Sequence, residues 1–200
     1  MDTLLQAILL ALLYIALLVT LEVTKRKFRL SAEITRRIAH IFTGLCAILN
    51  FSLLPGNWFL SLVVISLVGT LISHRFGIFT AVHAVRRKTY GEVFLPIGTI
   101  CAYLIASGDA EIFIPSILIL TFADSFAGLV SDYLKQQRKL KRGSLVFFAV
   151  ALTVLLATTN LNLGFALLVS VVLTLVERYS PLGSDNFTIP VAAAALLLLF

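Results

Sequence analysis

The sequence predicts an all-α fold, a polytopic transmembrane helical bundle of about seven to eight membrane helices. Three observations carry that reading. The first is composition: 60% of the 200 residues are hydrophobic and 13% charged, with a mean hydropathy of +1.02. A soluble domain of this length needs far more polar surface to cover its core. The second is run length: the apolar stretches extend over roughly 17–20 residues, enough to cross about 30 Å of hydrocarbon. Inside lipid every backbone N–H and C=O must be satisfied within the protein, which selects helices. A barrel would show short alternating segments instead.

The third observation is where the charge falls. Eight apolar segments can be drawn: Leu4–Leu21, Ile38–Leu54, Trp58–Ile72, Val93–Ser107, Ile112–Leu134, Ser144–Thr158, Leu163–Val176 and Phe187–Phe200. All sixteen Lys and Arg residues fall in alternate connections. Six lie in 22–37, four in 73–92, five in 135–143, and Arg178 is the last. The other connections, near Pro55, Gly108 and Asn160, carry none, although Asp109 and Glu111 lie there. The positive-inside rule then puts the basic connections in the cytoplasm and both termini outside, as an even number of crossings requires.

These spans leave room for one integral membrane domain over residues 1–200, with an anchor helix at 1–21 and the polar motifs between 33 and 190. The first span has no basic stretch before it and is followed at once by Lys25, Arg26 and Lys27, so it reads as a retained anchor and not a cleaved signal. No internal repeat of the transporter kind is visible. Cys46 and Cys101 sit inside apolar runs and read as buried thiols, with no disulfide framework or metal spacing. The sequence pI of about 9.6 fits loops drawn to anionic lipid and no nucleic-acid partner, because the basic residues flank membrane spans.

Four polar clusters stand at the basic ends of the segments. The first holds Glu33, Arg36, Arg37, His40 and Gly44; Arg37 and His40, three apart, share a helix face. Snorkelling arginines would account for them equally well. The second runs Arg86, Arg87, Lys88, Thr89, Tyr90, Gly91, Glu92 into Leu95 and Pro96, with Glu92 at the mouth of an apolar helix. The third is Asp124, Gly128 and Asp132, followed by Lys139, Lys141, Arg142, Gly143 and Ser144.

Asp124 lies deep in an apolar run, where a charge costs at least about 2.5–3.5 kcal/mol and marks function by default. Gly128 and Asp132 follow on its face, and Gly143-Ser144 opens the next helix, whose free N–H groups suit a phosphate. The fourth cluster sets Glu177 and Arg178 before Asp185 and Asn186. Asp185 and Asn186 read as N-cap residues. Glu177 ends a helix at its negative dipole end, which calls for a cationic partner. Together the clusters supply oxygen ligands for Mg²⁺, cations for a triphosphate, and a proton acceptor in His40, Asp124 or Asp185. That is the equipment of phosphoryl transfer.

The order of these motifs resembles the dolichol kinase/phytol kinase family, also called the diacylglycerol/polyprenol kinase family. Its E-x-x-R-K-x-x-H-x-x-x-G pattern is similar to Glu33, Arg36, Arg37, His40 and Gly44, with Arg37 in place of lysine. Tyr90, Gly91, Leu95 and Pro96 resemble its Y-G-x-x-x-F/L-P stretch. Asp124 and Ala127 resemble its G-D-x-x-A segment, with Ala123 for the leading glycine. Lys139, Gly143 and Ser144 match its K-S-x-E/A-G-S motif, with Leu140 and Arg142 as departures. Glu177, Asp185, Asn186, Thr188, Ile189 and Pro190 match its closing motif throughout.

The resemblance implies CTP-dependent phosphorylation of a lipid alcohol such as a polyprenol, dolichol or phytol, on the cytosolic side. It implies Mg²⁺ held by Asp124, Glu177 and Asp185. Arg37, Lys139, Lys141, Gly143, Ser144 and Asn186 would take the nucleotide phosphates, and Asp124, His40 and Asp185 the chemistry. Arg36, Gly91, Glu92, Gly128 and Asp132 complete the candidate set. A CTP-dependent phosphatidate cytidylyltransferase, releasing pyrophosphate, is the nearest alternative enzyme. A small proton- or cation-coupled transporter is the non-enzyme alternative, and it predicts acids reaching both faces. No CDP-alcohol phosphotransferase signature is present.

Overall fold

The computed structural model of the chain describes residues 2–77, 89–133 and 141–200, without the side chains of Asp132 and Lys141. Among the described residues there are helices and no strand. The helices are α1 Thr3–Phe28, α2 Ala32–Leu53, α3 Gly56–Phe76, α4 Gly91–Ala106 and α5 Ala110–Leu118, then a π-helical segment Ile119–Asp124, α6 Ser125–Tyr133, α7 Lys141–Thr158, α8 Leu163–Tyr179 and α9 Asp185–Leu197. Each of the eight apolar segments falls mainly on a helix, the described part of the fifth, 112–133, on α5, the π segment and α6 together. Among the described residues three helices are long and apolar enough to cross a membrane: Thr3–Phe28, Gly56–Phe76 and Ala110–Ser131. Gly91–Ala106, Arg142–Thr158 and Asp185–Leu197 are shorter apolar helices.

The chain divides into two compact units, Met1–Lys88 and Thr89–Phe200. In the first, α1 exposes Leu4, Leu5, Leu9, Leu12 and Ile15 along most of its length, as suits a surface that lipid covers. Ala7 and Leu10 pack with Leu54, Trp58 and Leu62 at one end, and Leu21 with Ile38 and Ala39 toward the other. Ser31 caps α2, accepting from Ile34 N at 3.3 Å. Glu22 is buried and its Oε1 accepts from Arg26 Nε at 2.9 Å, one turn along α1.

In the second unit, Ala123, Ala127, Ala151, Ala166 and Ala193 interleave with Phe147, Leu155, Leu173 and Ile189 in one core. Lipid tails are as apolar as these side chains, so the core is held by close packing more than by exclusion of water, and small residues let the helices approach. Phe113 meets Tyr103 edge-on, 5.9 Å between centroids. At the same end of the unit, Phe165 meets Phe200 at 3.9 Å. The opposite end gathers the start of α4, the end of α6, the start of α7, the end of α8 and the start of α9. Arg142 and Arg178 belong to that opposite end, whereas residues 107–109 and 159–162 at the aromatic end carry no Lys or Arg.

Prolines recur at the sixth position of three helices: Pro96 in α4, Pro115 in α5 and Pro190 in α9. Each removes the N–H that would bond the carbonyl four residues back, those of Glu92, Glu111 and Asn186. After Pro115 the ladder loosens. The Ile119 N–H is shared between the Pro115 and Ser116 carbonyls, and the wider π turn runs from there to Asp124. Cys46 is buried and Cys101 half-buried, and both are free thiols.

Candidate active site

Three carboxylates from three different segments converge in the second unit. Asp124 closes the π segment, Glu177 lies in the last turn of α8, and Asp185 opens α9. One oxygen of each lies within 4.8 Å of the others. All three are buried, Asp124 and Glu177 to 6% and 5% exposure. Like charges this close repel strongly at low dielectric, and a cation bound among them would relieve that repulsion. The donor set is all hard oxygen, with no Cys or His, which fits Mg²⁺ or Ca²⁺ and not zinc.

The corner joining α8 to α9 holds two of these acids in place. Ser180 Oγ donates to Val176 O at 2.7 Å and meets Thr188 Oγ1 at 2.6 Å. Thr188 Oγ1 in turn bonds Ser184 O at 3.1 Å. Leu182 and Gly183 turn the chain with φ of 55° and 85°. A Cβ on Gly183 would lie 2.7 Å from Gly91 N and 2.9 Å from Gly91 Cα, so only glycine fits both the turn and the approach.

The N-cap reading of Asp185 and Asn186 is corrected. Ser184 is the N-cap, without a side-chain bond, and Asp185 is the first helical residue. Asp185 Oδ1 accepts from Asn186 N at 3.1 Å, and its charge sits at the positive end of the α9 dipole. The Asn186 side chain leaves its own helix and donates from Nδ2 to Gly91 O at 2.7 Å. Tyr90 N donates to Leu182 O at 3.0 Å beside it. The starts of α4 and α9 are thus tied together next to Asp185. Asn186→Ala removes a buried hydrogen bond, a loss of about 0.5–1.5 kcal/mol. A lowered thermal midpoint, with activity falling alongside, is the expected result.

The remaining candidates divide by unit. Arg37 and His40 are buried on α2 in the first unit, Arg36 is half-buried there, and Gly44 follows on the face of Arg37 and His40. In the second unit Gly91 and the half-buried Glu92 open α4, and Gly128 is buried one turn beyond Asp124. Gly143 faces α6: a Cβ there would lie 2.7 Å from Ser131 Oγ and 3.2 Å from Ala127 O. That contact sets Ser144 near the level of Gly128, about one turn from Asp124. The Ser144 hydroxyl is buried with no hydrogen-bond partner among the described residues. Lys139 lies outside the described residues, as do the side chains of Lys141 and Asp132.

Sequence reasoning missed Gly98 and Ser125. Gly98 faces Asn186 O, the carbonyl that Pro190 leaves without its helical donor. The only signal was a proline four residues after Asn186. Ser125 follows Asp124 directly and is fully buried.

The chain is 27% identical over 198 residues to phytol kinase from Synechocystis sp. (strain ATCC 27184 / PCC 6803 / Kazusa), covering 90% of this chain and 85% of that protein. The resemblance drawn from the motifs is borne out: along nearly its whole length this chain is a relative of a phytol kinase. No family model matches the chain, and no solved structure does.

Proposed function

We propose that this chain, as a relative of phytol kinase, is a membrane-embedded kinase that transfers the γ-phosphate of a nucleotide, CTP by family resemblance, to the hydroxyl of a prenol such as phytol. The observation that carries the reading is the convergence of Asp124, Glu177 and Asp185 within 4.8 Å. Bound there, Mg²⁺ would neutralise charge on the transferred phosphoryl group.

The protein's own part is positioning. Glu177, with Asp124 and Asp185, holds the cation. The start of α7, at Gly143 and Ser144, receives phosphate oxygens, with Lys139 and Lys141 neighbouring in sequence. In the transfer the alcohol oxygen forms a bond to the γ-phosphorus while the bond from that phosphorus to the β–γ bridging oxygen breaks. The nucleoside diphosphate leaves, and the alcohol proton passes to a carboxylate of the site. The alcohol's chain lies among apolar helices, and the basic end faces the cytosol.

The test is purified protein with γ-labelled CTP, Mg²⁺ and a panel of lipid alcohols. Label on the alcohol with release of CDP is expected; a panel in which no alcohol gains label sinks the proposal. Pyrophosphate release with a cytidylylated lipid would establish the cytidylyltransferase alternative instead. Chelation with EDTA is expected to abolish transfer, and excess Mg²⁺ to restore it. Full activity after exhaustive chelation would remove the carboxylates from the metal role.

A further inference from the structure

Ser and Thr hydroxyls inside these helices follow one habit. Thr99, Ser116, Thr121, Ser131 and Ser170 each donate to the carbonyl four residues back, at 2.6 to 3.0 Å. Away from water this is the ready partner for a helical hydroxyl. Ser125 breaks the habit. It is fully buried, at 0% exposure, and its Oγ has no hydrogen-bond partner among the described residues.

Ser125 directly follows the π segment Ile119–Asp124, and its N–H closes onto Phe122 O three back. A buried hydroxyl left this way costs about 1–3 kcal/mol, and π turns gather at functional positions. Alanine would fill the same space without that cost. The hydroxyl also stands one residue from Asp124, whose carboxylate belongs to the three-acid cluster.

The geometry points to Ser125 as a substrate-contacting residue whose hydroxyl hydrogen-bonds the oxygen of the acceptor alcohol. The inference rests on the lipid-alcohol reading of the site and adds the residue that recognises the hydroxyl end. No bond is made or broken at Ser125. It holds the alcohol oxygen beside Asp124, and the proton leaves to a carboxylate as before. The fully buried position suits a small uncharged group arriving among apolar helices better than a nucleotide phosphate, for which the free N–H groups at the start of α7 are the better match.

The experiment measures binding apart from turnover. Purified wild type and Ser125→Ala, in detergent, are titrated with phytol and with the hydrocarbon of the same chain lacking the hydroxyl. Wild type is expected to prefer the alcohol roughly tenfold, the worth of one hydrogen bond of about 1.4 kcal/mol, and the variant to lose that preference. The thermal midpoint of Ser125→Ala should equal or exceed that of wild type, because an unsatisfied hydroxyl has been removed. In the kinase assay KM for the alcohol should rise while KM for the nucleotide stays within about twofold.

Unchanged discrimination in the variant overturns the inference, and so does a wild type that does not discriminate. A variant that loses stability and both affinities together shows a structural serine and also overturns it. If wild type prefers the alcohol, Ser125→Ala loses that preference, and neither transfers phosphate, the kinase reading fails and the role of Ser125 stands.

Discussion

Asp124→Asn is expected to lower turnover roughly 100- to 1,000-fold while leaving the helices folded, the scale of losing one preorganised electrostatic group at a reacting centre. The substitution keeps shape and volume and removes one of three charges that lie within 4.8 Å. Its effect on stability should therefore run opposite to its effect on activity. Without divalent cation, wild type carries the repulsion of the three buried carboxylates and the variant carries less, so the EDTA-treated variant should melt at the same temperature or higher. With saturating Mg²⁺ the order reverses.

Binding to the native state alone stabilises wild type by about 2.7 kcal/mol at a hundred times the dissociation constant, and the variant forfeits most of that gain. Glu177→Gln and Asp185→Asn should behave alike. Combining them with Asp124→Asn should cost little more, because residues acting as one unit are not additive. Thermal melts with and without Mg²⁺, beside the labelled-nucleotide assay, read both effects. An Asp124→Asn protein with normal turnover and a normal Mg²⁺ shift would dissolve the assignment.

Gly98→Ala is the second large effect, and it comes from a residue that touches no reactant. A Cβ at Gly98 would meet Asn186 O, Phe187 Cα at 2.9 Å and Pro190 Cγ at 3.1 Å. Two of these are backbone atoms that cannot swing aside, so α4 and α9 must move apart. Overpacking of this kind costs about 1–3 kcal/mol. The displaced backbone is that of Asn186, next to Asp185, and a misplacement of about 1 Å can cost roughly 100-fold in rate.

A lowered thermal midpoint, a smaller Mg²⁺ shift and a large fall in turnover are expected together. Gly69→Ala is the control, since a Cβ there meets nothing within 4 Å; it should match wild type. If Gly98→Ala also matched wild type, the close approach of α4 to α9 would have no part in holding Asp185.

The helices were legible because their apolar runs are long, and Asp124 because a carboxylate inside such a run carries a large cost. Glu177 stood out at the wrong end of a helix dipole, and Asp185 through its place just beyond the preceding turn. The rest depends on contacts that no local pattern encodes. Asn186 has cap chemistry, yet its amide is spent on Gly91, far along the chain, and the cap is Ser184. Gly98 reads as an ordinary small residue in an apolar helix until the freed carbonyl of Asn186 is set against it. Ser125 reads as a routine helical serine, because only the folded structure shows its hydroxyl buried without a partner among the described residues. Pro115 marks where the helix widens into the π segment, but a proline in a helix announces a kink as readily as a π turn.

The π segment also bears on how the length of this helix is compared between relatives. A π turn amounts to one residue inserted into an α-helix with the faces on either side kept in phase. A relative lacking one residue between the positions of Pro115 and Asp124 could therefore present the same acid to the same neighbours on an unbroken α-helix. A gap placed there would record a different turn of the helix, and no shift in the register of the site.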